Sequence, residues 1–176
     1  NKSEKYEAKK LIIMGAGAFA RETFWAVNEI KDGYGRYSVI GFLDDDLSKI
    51  NSPLLPDSTG TVTRELKILG SLDSLLNSGF TDFDFILPAV GTSDIKKIFT
   101  ERILKYSCKL PGPVIHHSVE IGHDNIIGDG TIIAANCSIT CNVSIGWQVN
   151  INLNCTVGHD VIVEDSERVR PLIVNY

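Results

Sequence analysis

Branched apolar residues recur at every sixth position in the last third of the chain. None of the nine members of this series is polar, although only 43% of the chain is hydrophobic: Ile115, Ile121, Ile127, Ile133, Ile139, Ile145, Ile151, Val157 and Val163. A period of six fits neither an α-helix nor one long amphipathic strand. It is typical of the hexapeptide repeat, in which each unit forms one short strand and one turn of a parallel β-helix.

Three such units make one triangular coil of eighteen residues, so the branched residues are expected to stack in three columns. Ile115, Ile133 and Ile151 should form the first column, and the other six residues should form the second and third. Because coils stack at the strand spacing of about 4.8 Å, three full coils should stand about 14 Å tall. Small residues directly after the branched position are expected to let the backbone bend at each corner. They are Gly122, Gly128, Ala134, Gly146 and Gly158.

The preceding part of the chain alternates short apolar runs with amphipathic stretches, which predicts a small α/β domain. Strands are expected over 10–14, 38–43, 66–69 and 82–89, and helices over 18–30, 72–77 and 93–106. Ser93 is expected to cap the last helix. Because Pro111 and Pro113 cannot continue that helix, we place a domain boundary there. The predicted fold is α/β plus β, with a Rossmann-like βαβ domain over residues 1–110 and a short parallel β-helix over residues 111–176.

A glycine-rich turn follows the first predicted strand and reads G-x-G-x-x-A from Gly15 to Ala20. Glycines let a phosphate approach the backbone, and the start of the next helix supplies free N–H groups. A tight strand-to-helix turn without a ligand uses the same glycines, so both interpretations stay open. Asp44 and Asp45 follow the second strand, further from the glycines than the ~20 residues of a dinucleotide fold. We therefore expect Gly15, Gly17, Asp44 and Asp45 to line a pocket for a nucleotide or sugar phosphate rather than NAD.

Composition excludes several classes of function. The net charge of −5 disfavours a general nucleic-acid surface. The chain has no run of 18 apolar residues, so no membrane span is predicted. The polar start of the chain lacks the apolar segment of a signal peptide, which favours a cytoplasmic protein. The four cysteines show no C-x-x-C spacing. Cys137 and Cys155 lie eighteen apart and are expected to stack as reduced core residues, without a disulfide or a metal.

The order of these segments carries a resemblance. A turn G-A-G-A-F-A-R-E, a strand end G-F-L-D-D-D, a segment L-G-S-L-D-S-L and a hexapeptide prism follow one another over about residues 10–163. The chain thereby resembles the sialic acid O-acetyltransferase family of hexapeptide-repeat sugar O-acyltransferases, a group that includes bacillosamine-type N-acetyltransferases. The resemblance implies a left-handed β-helix, a homotrimer, and acetyl-CoA as acyl donor, bound along the prism between subunits. It also implies a sugar or nucleotide-linked sugar as acceptor, bound between the glycine turn and the prism.

The most specific part of the resemblance is the segment I-N-L-N-C-T-V-G-H-D over residues 151–160. It implies that His159 is the general base, and Asp160 is the candidate to orient its ring. An imidazole can take a proton from a sugar hydroxyl or amine and return it to the leaving thiol. The alternative is a solvated histidine at a β-helix corner. His116, His117 and His123 lie outside the segment and are interpreted as structural or solvated.

Two features depart from the resembled family. Phe19 stands in the glycine turn where many members carry histidine, so Phe19 is a candidate substrate contact and the acceptor is expected to differ. After Val163 the repeat keeps its phase to Val169 and is then interrupted by Arg170 and Pro171. Because family members continue with further coils, the resemblance implies a shortened member with weak acetyl-CoA binding. The alternative functions are a sugar-nucleotide-binding or trimer scaffold without turnover and, on the glycine turn alone, a nucleotidyl or NAD enzyme.

Overall fold

The amino-terminal half of the chain folds as a parallel sheet flanked by helices. The computed structural model describes residues 8–51 and 66–170. Its first sheet has four strands in the order β3-β2-β1-β4: β1 (Lys9–Met14), β2 (Tyr37–Leu43), β3 (Ile68–Gly70) and β4 (Phe85–Pro88). The helices are α1 (Ala18–Asn28), α2 (Leu72–Asn77) and α3 (Ser93–Lys105), with a short 3₁₀ turn at Leu47–Lys49. Every neighbouring pair of strands is parallel, which confirms the Rossmann-like domain.

Strand β1 shows why this sheet forms from a continuous apolar run. Leu11, Ile12 and Ile13 are all fully buried, although consecutive residues of a strand point to opposite faces. Leu11 and Ile13 belong to one apolar cluster, and Ile12 belongs to the cluster on the other face. The sheet is therefore covered on both sides, as parallel sheets generally are.

Several predicted boundaries need correction. Helix α1 ends at Asn28 rather than near residue 30, because Ile30 forms an antiparallel bridge with His116 of the prism. Ser93 is the first helical residue of α3 and does not cap it. The capping position belongs to Thr92, whose side chain makes no capping hydrogen bond. The last strand of the sheet is shorter than expected and covers Phe85–Pro88. The predicted loop over 51–60 and the interruption at Pro171 fall mostly or wholly outside the described residues.

The second half of the chain is the hexapeptide prism. Within the described residues it has ten two-residue strands: β5 (Val114–Ile115), β6 (Glu120–Ile121), β7 (Ile126–Ile127), β8 (Ile132–Ile133), β9 (Ser138–Ile139), β10 (Ser144–Ile145), β11 (Asn150–Ile151), β12 (Thr156–Val157), β13 (Ile162–Val163) and β14 (Arg168–Val169). They form three parallel sheets with the orders β14-β11-β8-β5, β12-β9-β6 and β13-β10-β7. Ile115 pairs with Ile133, which pairs with Ile151, so the first predicted column is confirmed. The other two columns are confirmed in the same way. This is the arrangement of a left-handed parallel β-helix.

The corners of the prism differ from the prediction. The backbone turns at the third residue after each branched position from Ile121 to Val163, where φ lies between 57° and 67°: Asp124, Gly130, Asn136, Asn142, Gln148, Asn154, Asp160 and Ser166. Asparagine and aspartate tolerate this left-handed conformation better than most residues, and glycine tolerates it freely. Gly122 and Gly128 serve close stacking instead. A Cβ on Gly122 would lie 2.4 Å from the Thr140 carbonyl oxygen, and one on Gly128 would lie 2.7 Å from the backbone of Gly146.

The two halves meet along one face of the prism, the β14-β11-β8-β5 sheet. Its outward side chains are Val114, Ile132, Asn150 and Arg168, in adjacent coils. Val114 and Ile132 are buried in the apolar cluster that also holds residues of β1 and α1. Asn150 Nδ2 donates to the Val90 carbonyl oxygen at 3.3 Å, and Arg168 Nη1 donates to that of Gly91 at 3.0 Å. The prism face that meets the α/β domain is therefore apolar at one end and polar at the other.

All four cysteines are free thiols in the structure. Cys137 and Cys155 are buried in the prism core one coil apart, and burial raises the pKa of the Cys137 thiol to about 11. Such a thiol stays protonated at neutral pH and behaves as a small core residue.

Among residues 8–51 and 66–170, no helix is both long enough and apolar enough to cross a bilayer.

Candidate active site

His159 lies at the prism corner that follows β12, and its side chain is 77% exposed. Its Nδ1 is 2.7 Å from Oδ2 of Asp160. Asp160 occupies the left-handed corner position, with φ at 63°. The other oxygen of its carboxylate, Oδ1, accepts a 2.6 Å hydrogen bond from Nδ2 of Asn142. Asn142 is the same corner position one coil earlier, so the prism itself sets the direction of the Asp160 carboxylate.

The protonation of this pair follows from its contacts. The Asn142 amide, and after it the His159 ring, hold the pKa of Asp160 below its usual range. An ionised carboxylate can only accept hydrogen bonds, so His159 Nδ1 must carry the hydrogen and donate it. The lone pair of a neutral ring is then on Nε2. His159 therefore presents a proton acceptor to solvent at the prism corner, as a general base requires.

Sequence reasoning singled out His159 and Asp160 but missed Asn142. The signal was present, because Asn142 lies eighteen residues before Asp160, which is one coil of the repeat. The same corner carries His123 and Cys141 at the two preceding levels. Their carbonyl oxygens accept from the Asn142 and Asp160 N–H groups at 3.0 Å and 3.3 Å. His159 therefore occupies the third level of a regular stack of corners.

The glycine turn lies at the carboxyl edge of the α/β sheet. Gly15 has φ of +123°, and a Cβ there would lie 2.7 Å from the Ala89 carbonyl oxygen, so the fold itself requires glycine. Gly17 precedes α1 with extended dihedral angles and has no side-chain cap, and a Cβ there would meet no atom within 4 Å. The packing of the chain therefore explains Gly15 but not Gly17. Gly17 leaves open space beside the first N–H groups of α1, which is the arrangement that suits an anionic ligand.

Asp44 and Asp45 have different surroundings. Asp44 follows Leu43, whose carbonyl oxygen accepts from the Gly15 N–H at 2.8 Å, so Asp44 lies beside the glycine turn. Its carboxylate accepts from Lys49 Nζ at 3.1 Å. Asp45 instead accepts two hydrogen bonds from Arg102, at 2.7 Å and 3.3 Å. Of the two acids, Asp44 is the one placed next to the glycine turn, while Asp45 forms an ion pair with α3.

Phe19 lies in the first turn of α1 and packs against the apolar cluster of the α/β domain. The guanidinium carbon of Arg168 is 5.8 Å from the centre of its ring, within the range of a cation–π contact. Arg168 belongs to β14, so the fourth coil of the prism reaches the helix that follows the glycine turn. Sequence reasoning did not anticipate this contact, because nothing in the repeat indicates which face meets the other domain.

The three histidines outside the segment 151–160 lie in the first coil. His116 is buried, with its ring centre 4.7 Å from that of Trp25, and burial lowers its pKa. His117 Nδ1 lies 3.5 Å from a Glu29 carboxylate oxygen, and His123 is exposed. Across residues 8–51 and 66–170, no group of three His, Cys, Asp or Glu side chains could hold a metal ion.

His159 and the glycine turn lie on opposite sides of the prism. The α/β domain covers the β14-β11-β8-β5 face. His159 lies in the turn between β12 and β13, which belong to the other two sheets. In a triangular prism, the edge shared by two faces is the one farthest from the third face. No hydrogen bond or ion pair joins His159 to the glycine turn among the described residues of one chain.

Comparison with known proteins gives a family and a set of similar structures. The family model of the PglD N-terminal domain matches residues 10–103, more than half of the chain. A search of curated proteins found no match. Among solved structures, the acetyltransferase domain of PglB from Neisseria gonorrhoeae FA1090 is 23% identical, with a TM-score of 0.69 over 91% of this chain and 70% of that one.

Two further solved structures have the same fold. PerB from Caulobacter crescentus, solved with CoA and GDP-perosamine, is 17% identical, with a TM-score of 0.70 over 90% of this chain and 67% of that one. WeeI from Acinetobacter baumannii AYE is 20% identical, with a TM-score of 0.67 over 90% and 68%. Structural similarity at sequence identities this low shows only that the fold is shared. The family match rests on residues 10–103 themselves, and by that match the chain belongs to the PglD N-terminal domain family.

Proposed function

We propose that this protein transfers an acetyl group from acetyl-CoA to a hydroxyl or amine of a nucleotide-linked sugar. The observation that carries the proposal is the His159–Asp160 pair, which leaves Nε2 of His159 free at an exposed prism corner. Similar structures support it, since one was solved as the PglB acetyltransferase domain with acetyl coenzyme A, and PerB with CoA and GDP-perosamine. The resemblance to sialic acid O-acetyltransferases favours a hydroxyl acceptor, while the structural similarity to a GDP-perosamine N-acetyl transferase favours an amine.

In this reaction His159 moves one proton in each of two steps. The acceptor oxygen or nitrogen attacks the thioester carbonyl, and Nε2 of His159 takes the acceptor's proton as the new C–O or C–N bond forms. The tetrahedral intermediate then breaks its C–S bond, and the imidazolium returns the proton to the departing CoA sulfur. The products are the acetylated sugar and CoA thiol, and no metal or redox step is involved.

Asp160 positions the base in this mechanism. Its ionised carboxylate fixes the Nδ1–H tautomer and stabilises the imidazolium while His159 holds the proton. Asn142 in turn holds the Asp160 carboxylate at 2.6 Å. Both contacts are made within one chain, so the base is oriented before any substrate binds.

The acceptor side of the site requires a second copy of the chain in this proposal. Because His159 faces away from its own α/β domain, we infer a homotrimer in which His159 of one chain faces the glycine turn of a neighbour. The exposed residues on the adjoining β13-β10-β7 face support such an interface. Ile126 and Ile162 are 70% and 76% exposed there, on either side of Ser144, and Trp147 in the turn after β10 is 55% exposed. Exposed apolar side chains of this size are candidates for a contact with a second chain.

Gly17 offers a clean test of the acceptor pocket. We expect Gly17→Val to weaken the binding of a UDP-sugar or related nucleotide sugar in calorimetry, because the new side chain enters the space beside the α1 N–H groups. Its free energy of unfolding should change by no more than about 1 kcal/mol, the scale of a helix-cap change. Gly15→Ala is the contrasting variant. It should destabilise the fold by roughly 1–3 kcal/mol, because of its positive φ and its contact with Ala89. Tight NAD binding without any response to nucleotide sugars would reject this pocket.

Acetyl transfer to a panel of acceptors tests the function directly. The protein is incubated with acetyl-CoA and UDP-, CMP- and free amino sugars, each beside its hydroxyl counterpart, and the products are identified by mass spectrometry. We expect an increase of one acetyl group on at least one nucleotide-linked sugar, and the labelled position separates O- from N-acetylation. Binding of a nucleotide sugar without any acetylated product would instead support the scaffold function.

A further inference from the structure

Lys96 is a buried cation that the proposed reaction does not use. It lies in the first half of α3 and is 1% exposed, and its Nζ has no hydrogen-bond partner among residues 8–51 and 66–170. Burial, and after it the nearby charge of Arg168, lowers the pKa of Lys96 to about 7. A fully buried lysine without a partner is rare, because desolvation of its charge is unfavourable. Its presence needs a physical explanation.

The charge that acts on Lys96 is that of a second cation, Arg168. Arg168 reaches the same region from β14 and donates to the Gly91 carbonyl oxygen at 3.0 Å. Asn150 lies beside Arg168 in the same sheet and is 1% exposed, and its Oδ1 has no partner. Helix α3 begins just after Thr92 and has no side-chain cap, so its first N–H groups add positive potential. We call Lys96, Asn150, Arg168 and the turn 90–92 the seam cluster.

The cluster holds no counter-charge of its own. Among residues 8–51 and 66–170, no carboxylate forms an ion pair with Lys96 or Arg168. Asp94 lies in the first turn of α3 and is exposed. On the prism side, Asp165 and Glu167 line an open cleft of about 520 Å³ together with Ser93, Arg168 and Arg170. Asp165 accepts from the Trp147 N–H at 2.8 Å. An ordered water could satisfy the hydrogen bonds of neutral Lys96, but it could not supply the negative charge that the ammonium form requires beside Arg168.

We propose that the seam cluster binds a phosphoryl group, held by Lys96 from α3 and by Arg168 from β14. The site adjoins the acceptor side, because Arg168 also lies over Phe19 of the first turn of α1. The proposal rests on the proposed function for the source of the ligand, which would be the diphosphate of the nucleotide-linked sugar. The chemistry is the same for a free phosphate or pyrophosphate. Lysine and arginine make charge-assisted hydrogen bonds to phosphoryl oxygens that are stronger than neutral ones.

Binding should be coupled to protonation of Lys96. With a pKa of about 7, Lys96 is mostly neutral at pH 8 in the free protein. A bound anion favours the ammonium form, so the complex should take up close to one proton at that pH. The free protein should also gain stability as pH rises from about 7 to about 10, because the unfolded chain binds the proton that folded Lys96 has lost.

Calorimetry at pH 8 tests the site. UDP and inorganic pyrophosphate are titrated into the full chain, each in two buffers of different ionisation enthalpy, which yields the protons taken up on binding. For Lys96→Met we expect roughly 10- to 100-fold weaker binding and no proton uptake. For Arg168→Gln we expect weaker binding with the proton uptake retained. Lys97→Met in α3 and Arg170→Gln just after β14 are matched controls, both exposed, and should bind as wild type does.

Thermal unfolding separates binding from a purely structural role. Without ligand, Lys96→Met should unfold at a higher temperature than wild type, because methionine fills the same space without a buried charge. UDP should raise the unfolding temperature of wild type but not of this variant. Lys96→Met that binds both probes with wild-type affinity and proton uptake would overturn the inference, as would a wild-type protein that binds neither probe.

The two proposals fail separately. If Lys96→Met transfers acetyl groups to a nucleotide sugar as wild type does, the proposed role of the seam cluster is rejected and the proposed function stands. If the protein binds UDP and pyrophosphate through Lys96 but transfers no acetyl group, the phosphoryl site is supported and the proposed function is rejected. Lys96-dependent binding of UDP but not of pyrophosphate would assign the cluster to a nucleotide ligand, whereas equal binding would show that a phosphoryl group suffices.

Discussion

His159→Ala is expected to lower kcat for acetyl transfer by about 10²- to 10⁴-fold, the usual range for removal of a general base. The acceptor must lose its proton as it attacks, and no other titratable side chain contacts Asp160 at this corner among the described residues. The side chain is exposed and contributes no packing, so the variant should fold and unfold like wild type. Steady-state kinetics and circular dichroism of both proteins measure the two effects.

The prism provides a matched control for this variant. His123 is exposed at the same corner two coils earlier, so His123→Ala removes the same side chain from an equivalent turn. We expect His123→Ala to keep wild-type kcat. Equal losses in the two variants, or full activity of His159→Ala, would exclude His159 as the base.

Asp160→Asn probes the orienting carboxylate without breaking the corner. Asparagine occupies the equivalent left-handed position at 142 and 154, with φ of 57° and 58°, so the backbone accepts it. The variant loses the negative charge that stabilises the imidazolium, while His159 keeps its Nε2. We therefore expect a smaller loss of kcat than in His159→Ala.

The sequence alone predicted the prism columns because one physical rule repeats through it. Ile133 must point inward at the same step of each coil as Ile115 and Ile151, and a period of six follows from that geometry. The corner residues obey a second repeat, at Asn142 and Asp160, which was overlooked in favour of the small residues. Gly122 shows why the small residues mislead, since its lack of a side chain serves the contact with the next coil.

Other features could not be predicted from the sequence, because they depend on which face of the prism contacts the α/β domain. Lys96 lies on a helix among polar neighbours and resembles an ordinary solvated lysine in the sequence, yet it is 1% exposed. The charge of Arg168, on the prism face that docks against this domain, acts on Lys96. The same docking decides that His159 lies on the far edge of the prism. A catalytic base and an acceptor turn could be named from local motifs, but their separation could not.

The central claim is that His159 of one chain serves the glycine turn of another. It predicts that two inactive variants, His159→Ala and Gly17→Val, regain activity when their subunits are mixed. In a trimer assembled at random from equal amounts, a site is complete when its base comes from the Gly17→Val chain and its turn from the His159→Ala chain. That combination occurs in about a quarter of the sites over all trimers, and in one site of three in every mixed trimer. Co-expression with two different affinity tags allows the mixed trimers to be isolated.

Acetyl transfer by the mixed trimers is the measurement that tests this claim most directly. We expect each variant alone to be nearly inactive under subsaturating acceptor. The isolated mixed trimers should approach about a third of wild-type activity per site, because each holds one complete site in three. A protein that is monomeric at micromolar concentration, or mixed trimers no more active than the separate variants, would contradict a site shared between chains.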